Sequence, residues 1–341
     1  MTTTPVPHLT AVGTALPGDP VDNTALSAAL GVSAEWIELF IGTRTRHFAR
    51  DLVTGEVRHS LADLCARAAG EAMDRCGAEP ADIEFLVLGT ATPDHLMPTT
   101  AAEVADLLGL DQLPVHQLQS GCAGAVQALD LARLLIGSGQ YRTGLVIGGD
   151  VCTKHLDLHR DMSEAAPSDL VNCVLFGDGA GAAVLTAEPY GEAVALLRTL
   201  NRCTGLGREP GQVIDWFGLA DRHCDRQALT EDYKAIEESV PVLAVEILWE
   251  LLDDLGWAPQ SLDFLLPPQL SGRMTRVIGE RLGIPSAHEI SCVDRTGNNG
   301  NALPFLQLDE LLPKMGAGQR ALAVAVESSK WIKSGFALEK R

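Results

Sequence analysis

The chain has 341 residues, of which 46% are hydrophobic and 21% are charged, and its formal net charge at pH 7 is −19. This length suggests two domains or one internally doubled domain, and the apolar content is sufficient for a large core, which excludes disordered and collagen-like proteins. The acidic excess argues against nucleic acid and anionic membrane surfaces as partners, because both require clustered lysine and arginine.

The sequence shows no segment suited to crossing a membrane. The longest nearly uncharged stretch, 113–129, contains Pro, His, Gln, Ser and Gly and falls short of the roughly 18 apolar residues that a span needs. Residues 1–14 lack a basic region followed by an apolar one, so no secretory signal is expected and a cytoplasmic location is predicted. The eight cysteines show neither a C-x-x-C pair nor zinc-finger spacing. Most are therefore expected to be buried thiols, and no metal or redox cofactor is implied.

Short apolar runs alternate along the chain with segments of helical periodicity. In the first half we predict strands and helices in turn, at 83–88, 99–110, 115–118, 123–136 and 145–149. Two further strands, at 174–176 and 182–185, flank the glycine-rich segment 177–181, which is typical of a hairpin turn. In the second half the predicted elements lie at 240–256, 263–266, 272–282, 290–293, 302–312 and 321–327. The alternation predicts an α/β fold with parallel or mixed sheets covered by helices.

Both halves contain a strand, a loop with reactive side chains and then a helix, which indicates a duplicated α/β unit. We place the two domains at 1–187 and 188–341, with the seam in 187–195. Residues 201–233 are rich in Gly, Asp and Arg and show little periodicity. They are predicted to form an insertion or cap over a site.

Cys122 lies in the segment Q-S-G-C-A-G-A-V, between a predicted strand and a predicted helix. The free N–H groups and the positive dipole end at a helix start stabilise a thiolate, and Gly121 and Gly124 would let a carbonyl approach closely. We therefore expect a lowered pKa and a nucleophile suited to thioesters or other activated acyl groups. The alternative is a buried core thiol in front of a helix.

The segment around Cys122 resembles the nucleophile motif of β-ketoacyl carrier protein synthase III, a member of the thiolase superfamily. Four more segments resemble motifs of that family in the same order: W-I…G-T-R-T-R at 36–46, G-T-A-T-P-D at 89–94 with P-T-T-A at 98–101, L-F-G-D-G-A-G-A at 175–182, and V-D-R-T-G-N at 293–298. The resemblance extends from about residue 8 to residue 336. It implies a thiolase fold, with two pseudo-equivalent halves in a five-layer αβαβα arrangement, and a homodimer.

One catalytic residue of the family is missing. The resemblance assigns the family's catalytic cysteine to Cys122 and its asparagine to Asn298. Its histidine opens an H-Q-A-N motif, but residues 267–271 here read P-P-Q-L-S, which places Pro268 at the histidine position. In a decarboxylating condensation, His and Asn hold the malonyl carbonyl as the enolate charge develops, and each such donor contributes about 3–4 kcal/mol. The loss argues against efficient carbon–carbon bond formation but not against acyl transfer.

Other groups could complete the site. The N–H of Cys122 and an N–H of the turn 327–329 are candidates for the oxyanion hole, although E-S-S-K replaces the family's glycine-rich loop there. A hydroxyl acceptor needs a general base, whereas a thiol acceptor needs less assistance. Candidate bases or polar substitutes are Ser271, Gln269, Glu327 and His116, while His95 and His223 are further histidines near the predicted site. Each histidine also fits a surface or core residue without a catalytic role.

The resemblance also points to residues that bind substrate or carrier. Met97 falls where the family contributes to the partner subunit's acyl pocket, and Trp36 where an aromatic side chain lies at the mouth of the pantetheine tunnel. Simple interface packing and a half-buried tryptophan are the alternatives. Arg273 and Arg276 lie three residues apart on one helix face, where the family docks acidic carrier proteins. A solvated helix face is the alternative for each arginine.

The sequence supports three hypotheses about function. In the first, Cys122 takes an acyl group from a carrier-protein or coenzyme A thioester and passes it to a hydroxyl, an amine or a carrier thiol, in polyketide or antibiotic biosynthesis. In the second, the protein is still a decarboxylating condensing enzyme, with another group in place of the histidine. In the third, it is a non-catalytic partner subunit of an active paralogue.

Overall fold

The computed structural model describes residues 5–156, 158, 162, 167–216, 221, 223, 224 and 229–341. The elements of the first half are β1 (His8–Ala15), β2 (Val21–Asp22), α1 (Asn23–Leu30), α2 (Ala34–Phe40), β3 (Thr45–Arg46), α3 (Leu61–Cys76), β4 (Leu86–Gly89), α4 (Thr100–Leu107), β5 (Val115–Leu118), α5 (Gly124–Gly137), β6 (Thr143–Asp150), α6 (Pro167–Leu175) and β7 (Gly179–Thr186). Those of the second half are β8 (Val194–Cys203), β9 (Gln212–Ile214), β10 (Leu229–Glu231), α7 (Tyr233–Leu255), β11 (Phe264–Leu266), α8 (Gly272–Leu282), β12 (His288–Glu289), α9 (Val293–Thr296), α10 (Leu303–Leu311), β13 (Arg320–Glu327) and β14 (Ile332–Glu339).

The two halves have the same strand order. The strands run β12-β11-β13-β14-β8-β1-β7-β6-β4-β5, and β8 and β1 join the halves through two residue pairs. In the first half β4 is parallel to β5 and β6, and in the second half β11 is parallel to β12 and β13. Each half also has an antiparallel pair next to its parallel strands, β6 with β7 in the first half and β13 with β14 in the second. The order therefore reads the same outward from the β1–β8 junction in both directions.

The apolar side chains form three large cores that separate five layers. Successive strand residues face opposite sides, so Leu145 of β6 packs against α3 and α4 while Val146 packs against α5 and α10. In the same way, Leu322 of β13 packs against α7 and α8 while Ala323 faces the middle layer. The predicted αβαβα arrangement is confirmed, with α5 and α10 between the two sheets.

The predicted hairpin at the glycine-rich segment is wrong. Residues 174 and 175 end α6, and the glycines from 179 onward lie inside β7. A methyl group at Gly177 would overlap the Thr296 carbonyl, and one at Gly181 would overlap Phe305. These glycines therefore allow close packing rather than a turn. Asp178, which the sequence suggested shapes a turn, is instead a buried acceptor for the Ala49 N–H at 2.7 Å.

Two other predicted elements differ from the structure. The strand predicted at 290–293 is absent, because Gln269 Oε1 accepts the N–H groups of Cys292 and Val293 at 2.7 and 2.8 Å and the chain turns into α9. The long helix begins at Tyr233 rather than at residue 240, since Asp232 caps it by accepting the Ala235 N–H at 3.0 Å.

The structure also bears on the predicted burial of the cysteines and on the predicted lack of a membrane span. Fewer of the eight cysteines than expected are fully buried. Cys65, Cys173 and Cys292 are fully buried, Cys203 is exposed, and the remaining four, among them Cys122, are half-buried. Among the described helices, none combines the length and the apolar composition that a membrane span requires.

Candidate functional site

Cys122 lies where the two halves meet. A short 3₁₀ turn, Gly121–Ala123, follows β5 and leads into α5, and Gly121 has a φ of +50° that favours glycine. The first free N–H groups of α5 face the second half, where Asn301 Oδ1 accepts the Ala125 N–H at 2.7 Å. The nucleophile turn is therefore held by residues from both halves of the chain.

The carboxylate of Glu327 occupies the predicted oxyanion hole. Glu327 ends β13 and is only 1% exposed. Its Oε2 accepts the Cys122 N–H, and its Oε1 accepts the Ser329 N–H at 2.5 Å. A methyl group at Gly121 would overlap this carboxylate, so the glycine is what lets Glu327 reach the turn. Both donors that a thioester oxygen would use are bound to Glu327.

The environment of Cys122 keeps its thiol protonated. Burial raises the pKa of the Cys122 thiol well above its usual value, and the charges of Glu327 and Asp150 and a hydrogen bond to Glu327 raise it further. The expectation of a pKa lowered by the helix start is therefore wrong, because burial raises the pKa and the charges of three carboxylates, the third being that of Glu231, act in the same direction. A thiol in this state needs a base to take its proton as it attacks.

Two cavities meet at Cys122. The first, of about 80 Å³, is lined among others by Pro268, Asn298, Tyr233 and Gln307, and we call it the Asn298 cavity. The second, of about 380 Å³, is lined among others by Thr92, Asp150, Cys152, His155 and Lys330, and we call it the His155 cavity. Cys122, Phe176, Gln212 and Gly300 line both. The nucleophile thus has room for a separate group on each side.

Part of the predicted cap borders these cavities. Within 201–233, strands β9 and β10 pair as a small antiparallel sheet. Gln212 of β9 lines both cavities, and Glu231 of β10 lines the Asn298 cavity, where its side chain accepts from Gln212 Nε2. The described part of this segment therefore contributes to the walls of both cavities, and its role as a cap stays a prediction.

Asn298 lines the Asn298 cavity together with Cys122 and Pro268. Its backbone is fixed by a bridge to Phe176, and its Oδ1 accepts the Gly300 N–H at 3.0 Å. The Nδ2 group is consequently the hydrogen-bonding atom that remains for a substrate oxygen. Pro268 offers no donor or acceptor on its side chain, and its correspondence to the family's histidine stays a prediction.

Sequence reasoning missed Asp150, which links the two halves beneath the nucleophile. Its buried carboxylate accepts from Ala91 N–H at 2.7 Å, from the Thr92 hydroxyl at 3.0 Å and from both the backbone and Nδ2 of Asn301 at 2.8 Å. Burial raises the pKa of Asp150 despite these donors. The sequence contained one indication of Asp150. It ends an apolar strand, and side chains at the carboxyl ends of neighbouring parallel strands commonly meet at one edge of the sheet.

Two of the proposed polar substitutes form hydrogen bonds that hold the fold, and a third, His116, does not line either cavity. Gln269 lines the Asn298 cavity, but its Oε1 accepts the N–H groups that begin α9. The Ser271 hydroxyl caps α8 by accepting the Met274 N–H at 3.1 Å. His116 lies within β5, and neither it nor Ser271 is among the residues that line the two cavities. Of the four candidates, Glu327 alone touches the nucleophile turn in the described chain.

The proposed binding residues lie outside the two cavities. Trp36 packs against Phe40 and lines a side cavity, together with Arg273 and with Tyr233, which also lines the Asn298 cavity. Arg276 is exposed on the same helix face as Arg273, and no ion pair within 4.0 Å involves either residue in the described part of the chain. Met97 is 87% exposed, and its role at a partner subunit stays a prediction. No group of three described His, Cys, Asp or Glu side chains is arranged to hold a metal ion.

The chain matches known families in both halves. Residues 117–202 match the family described as 3-oxoacyl-[acyl-carrier-protein (ACP)] synthase III, and residues 252–328 match the C-terminal family of the same enzymes. The β-ketoacyl-[acyl-carrier-protein] synthase III of Sphingopyxis alaskensis is 31% identical over 320 residues, which are 94% of each chain. That of Xanthomonas oryzae pv. oryzae is also 31% identical and 94% covered.

Solved structures of the same kind superpose closely. AbyA1, described as a tetronic acid condensing enzyme, is 55% identical, with a TM-score of 0.95 over 98% of this chain and 99% of its own. The synthase III of Pseudomonas aeruginosa PAO1 is 27% identical, with a TM-score of 0.84 over 98% of both chains. The priming β-ketosynthase of the R1128 polyketide pathway is 26% identical, with a TM-score of 0.82 over 99% of this chain and 97% of its own.

Proposed function

Because the chain belongs to the β-ketoacyl-[acyl-carrier-protein] synthase III family, and is thus a ketosynthase III-type enzyme, we propose that it joins two acyl thioesters into a tetronic acid ring. The observation that carries this is the Cys122–Glu327 pair at the meeting point of two cavities. The 55% identity to a tetronic acid condensing enzyme supports the choice of product.

A tetronic acid is a five-membered lactone whose ring contains a β-dicarbonyl unit. Opening one carbon–carbon bond and the lactone carbon–oxygen bond leaves an α-hydroxyacyl unit and a β-ketoacyl unit. Both units can arrive as thioesters. Forming the ring makes one C–C bond and one C–O bond, breaks two C–S bonds and releases two thiols, so no oxidant or reductant is required.

Glu327 has the place of a base in the first half-reaction. As Cys122 Sγ attacks the thioester of the α-hydroxyacyl unit, the Sγ proton moves to the Glu327 carboxylate and the donor thiol leaves. A neutral carboxylic acid accepts the N–H groups of Cys122 and Ser329 less strongly than the anion does. Those two N–H groups then become available to the thioester oxygen, where charge develops.

The second half-reaction needs no decarboxylation. The α-carbon of a β-ketoacyl thioester lies between two carbonyls, so loss of a proton to solvent gives a stabilised carbanion. That carbon attacks the acyl group on Cys122, and the Cys122 thiolate leaves and takes back its proton from the Glu327 acid. The α-hydroxyl oxygen then attacks the second thioester carbonyl and its proton passes to the departing thiolate, which closes the ring and releases the second thiol. Pro268 in the place of the histidine is compatible with this route, and Asn298 Nδ2 is positioned to bind an oxygen of the β-ketoacyl unit.

This proposal replaces two narrower hypotheses from the sequence. Transfer to an oxygen, nitrogen or sulfur acceptor alone would form the lactone bond. It would not form the carbon–carbon bond of a condensation, the reaction for which the 55% identical structure is named. A malonyl-dependent condensation would form a carbon–carbon bond, but it uses the missing histidine to hold the malonyl carbonyl as the enolate charge develops. The ring reaction uses a carbon nucleophile that is acidic enough to form without that residue.

The decarboxylating alternative is open to a direct test. We expect the wild-type enzyme to release no CO₂ from a malonyl thioester above the rate without enzyme, because one donor of the enolate pair is missing. Release is measured with ¹³C-labelled malonyl pantetheine by mass spectrometry. CO₂ release that disappears in Cys122→Ala and Asn298→Ala would instead support the decarboxylating condensing enzyme.

We also propose an acyl carrier protein as the donor, docked on the face of α8 that carries Arg273 and Arg276. In a chain with a net charge of −19, an exposed basic pair gives an acidic carrier a defined place to approach. We further propose that the protein is cytoplasmic and forms a homodimer with Met97 at its interface. Its proposed role is in polyketide or antibiotic biosynthesis.

Reversing the charge of both arginines tests the docking face. We expect Arg273→Glu with Arg276→Glu to lower kcat/KM for carrier-bound donors about tenfold or more at low salt, and to leave acylation by small pantetheine thioesters unchanged. Steady-state kinetics with both donor types measures the difference. Arg67→Glu, at an exposed position of α3, is the matched control. An equal loss with small donors, or none with the carrier, contradicts docking at α8.

A further inference from the structure

The His155 cavity is lined by a histidine with a buried ring nitrogen that lacks a partner among the described residues. His155 ends a short 3₁₀ turn, Cys152–His155, which follows β6 by one residue. Its Nε2 is buried and has no hydrogen-bond partner in the described part of the chain. An unpaired buried nitrogen is destabilising, so it points to a partner that arrives with the substrate.

Several of the neighbouring polar groups already have partners. The Thr92 hydroxyl donates to Asp150 at 3.0 Å, and the Ser120 hydroxyl donates to Gln127 at 2.7 Å. Lys330 Nζ donates to the Arg208 carbonyl at 2.6 Å. Among the buried side-chain nitrogen and oxygen atoms of the described residues that line this cavity, His155 Nε2 is the one without a partner.

An aromatic neighbour and a lowered pKa characterise the imidazole of His155. Its ring meets Trp216, which follows β9, edge to face with 6.2 Å between the ring centroids. Burial and, to a smaller extent, the charge of Lys154 lower the pKa of His155. The neutral ring carries one N–H donor and one acceptor, so either tautomer can form a hydrogen bond with a hydroxyl group.

We propose that the His155 cavity receives the acyl chain of the Cys122 acyl-enzyme and that His155 Nε2 hydrogen-bonds the hydroxyl group of that chain. This inference rests on the proposed function and assigns a specificity residue to its first half-reaction. A chain without the hydroxyl leaves the nitrogen unpaired in a buried site. Sites built to hydrogen-bond a substrate hydroxyl discriminate strongly against analogues that lack it.

The test compares two donors that differ by one oxygen atom. Single-turnover acylation of the full chain by lactoyl and by propionyl pantetheine thioester is followed by intact-protein mass spectrometry. We expect the wild type to prefer the lactoyl donor by on the order of 10- to 100-fold. His155→Phe should bring the ratio near one while keeping propionyl loading, and His288→Phe, at an exposed position of β12, should keep the wild-type ratio.

Each result decides the inference. Equal loading of both donors by the wild type, an unchanged preference in His155→Phe, or no acylation by either donor overturns it. Should His155→Phe fail to fold, His155→Gln, which keeps a hydrogen-bonding group, must show a reduced but measurable preference. A lactoyl preference without ring formation leaves the inference standing and removes the proposed function, whereas ring formation with equal loading does the reverse.

Discussion

Glu327→Gln is expected to slow acylation of Cys122 by thioesters about 100-fold or more while making the same thiol more reactive toward iodoacetamide. The amide cannot take the Sγ proton during attack, and general-base catalysis typically contributes two to four orders of magnitude. The same substitution removes a negative charge and a hydrogen bond that raise the pKa of Cys122. The thiolate fraction at pH 7.5 should therefore increase, by about tenfold for each unit by which the pKa falls.

The slower acylation and the faster reaction with iodoacetamide are measured on the same sample of the variant. Stopped-time mass spectrometry gives the rate of acylation, and iodoacetamide labelling as a function of pH gives the thiol pKa. Glu56→Gln, an exposed glutamate outside both cavities, is the matched control and should change neither rate. If Glu327→Gln lowers both rates together, or leaves acylation intact, Glu327 is not the base for the thiol.

Cys122→Ala is expected to abolish the acyl-enzyme and to lower ring formation by at least about 1,000-fold. The covalent intermediate divides one difficult substitution into two easier ones, and alanine offers no nucleophile in its place. The mass of the intact protein after incubation with a thioester should increase in the wild type and stay unchanged in the variant. Cys203→Ala, at an exposed cysteine, should still gain the acyl mass.

Retained transfer in Cys122→Ala would contradict covalent catalysis. The enzyme would then pass the acyl group directly between its two substrates. Glu327 would have to activate the second substrate rather than the thiol. An acyl mass that persists in the variant would place the acyl group on a different side chain, and peptide mapping would identify it.

The repeated order of strand, loop and helix could be read from the sequence because the buried strands are short continuous apolar runs and the helices carry apolar residues at helical spacing. Helix α8 lies at the predicted bounds, since Ser271 caps its start and Gly283 adopts the left-handed conformation after its end. The glycine-rich segment was misread because a glycine that permits a turn and one that permits close packing look alike in sequence. The need for Gly181 arises from Phe305, which lies 124 residues further along the chain.

The position of Cys122 in front of a helix was also predictable, whereas the state of its thiol was not. A helix start favours the thiolate, but burial and three carboxylates from distant parts of the chain outweigh it. Glu327 reaches the turn from 205 residues away and Asp150 from β6, so the residues around Cys122 do not show that either carboxylate lies close to it. His155 was one of nine histidines in the sequence, and only its unpaired Nε2 in a shared cavity distinguishes it.

Ring formation is followed with lactoyl and acetoacetyl thioesters, presented on a carrier protein, in one reaction with the full chain. We expect 3-acetyl-5-methyltetronic acid by mass spectrometry, two thiols released for each ring, and neither in Cys122→Ala. A linear ester with one thiol per turnover would contradict ring formation and return the protein to simple acyl transfer. Failure of Cys122 to accept any acyl group, together with tight binding to a related subunit, would contradict catalysis by this chain.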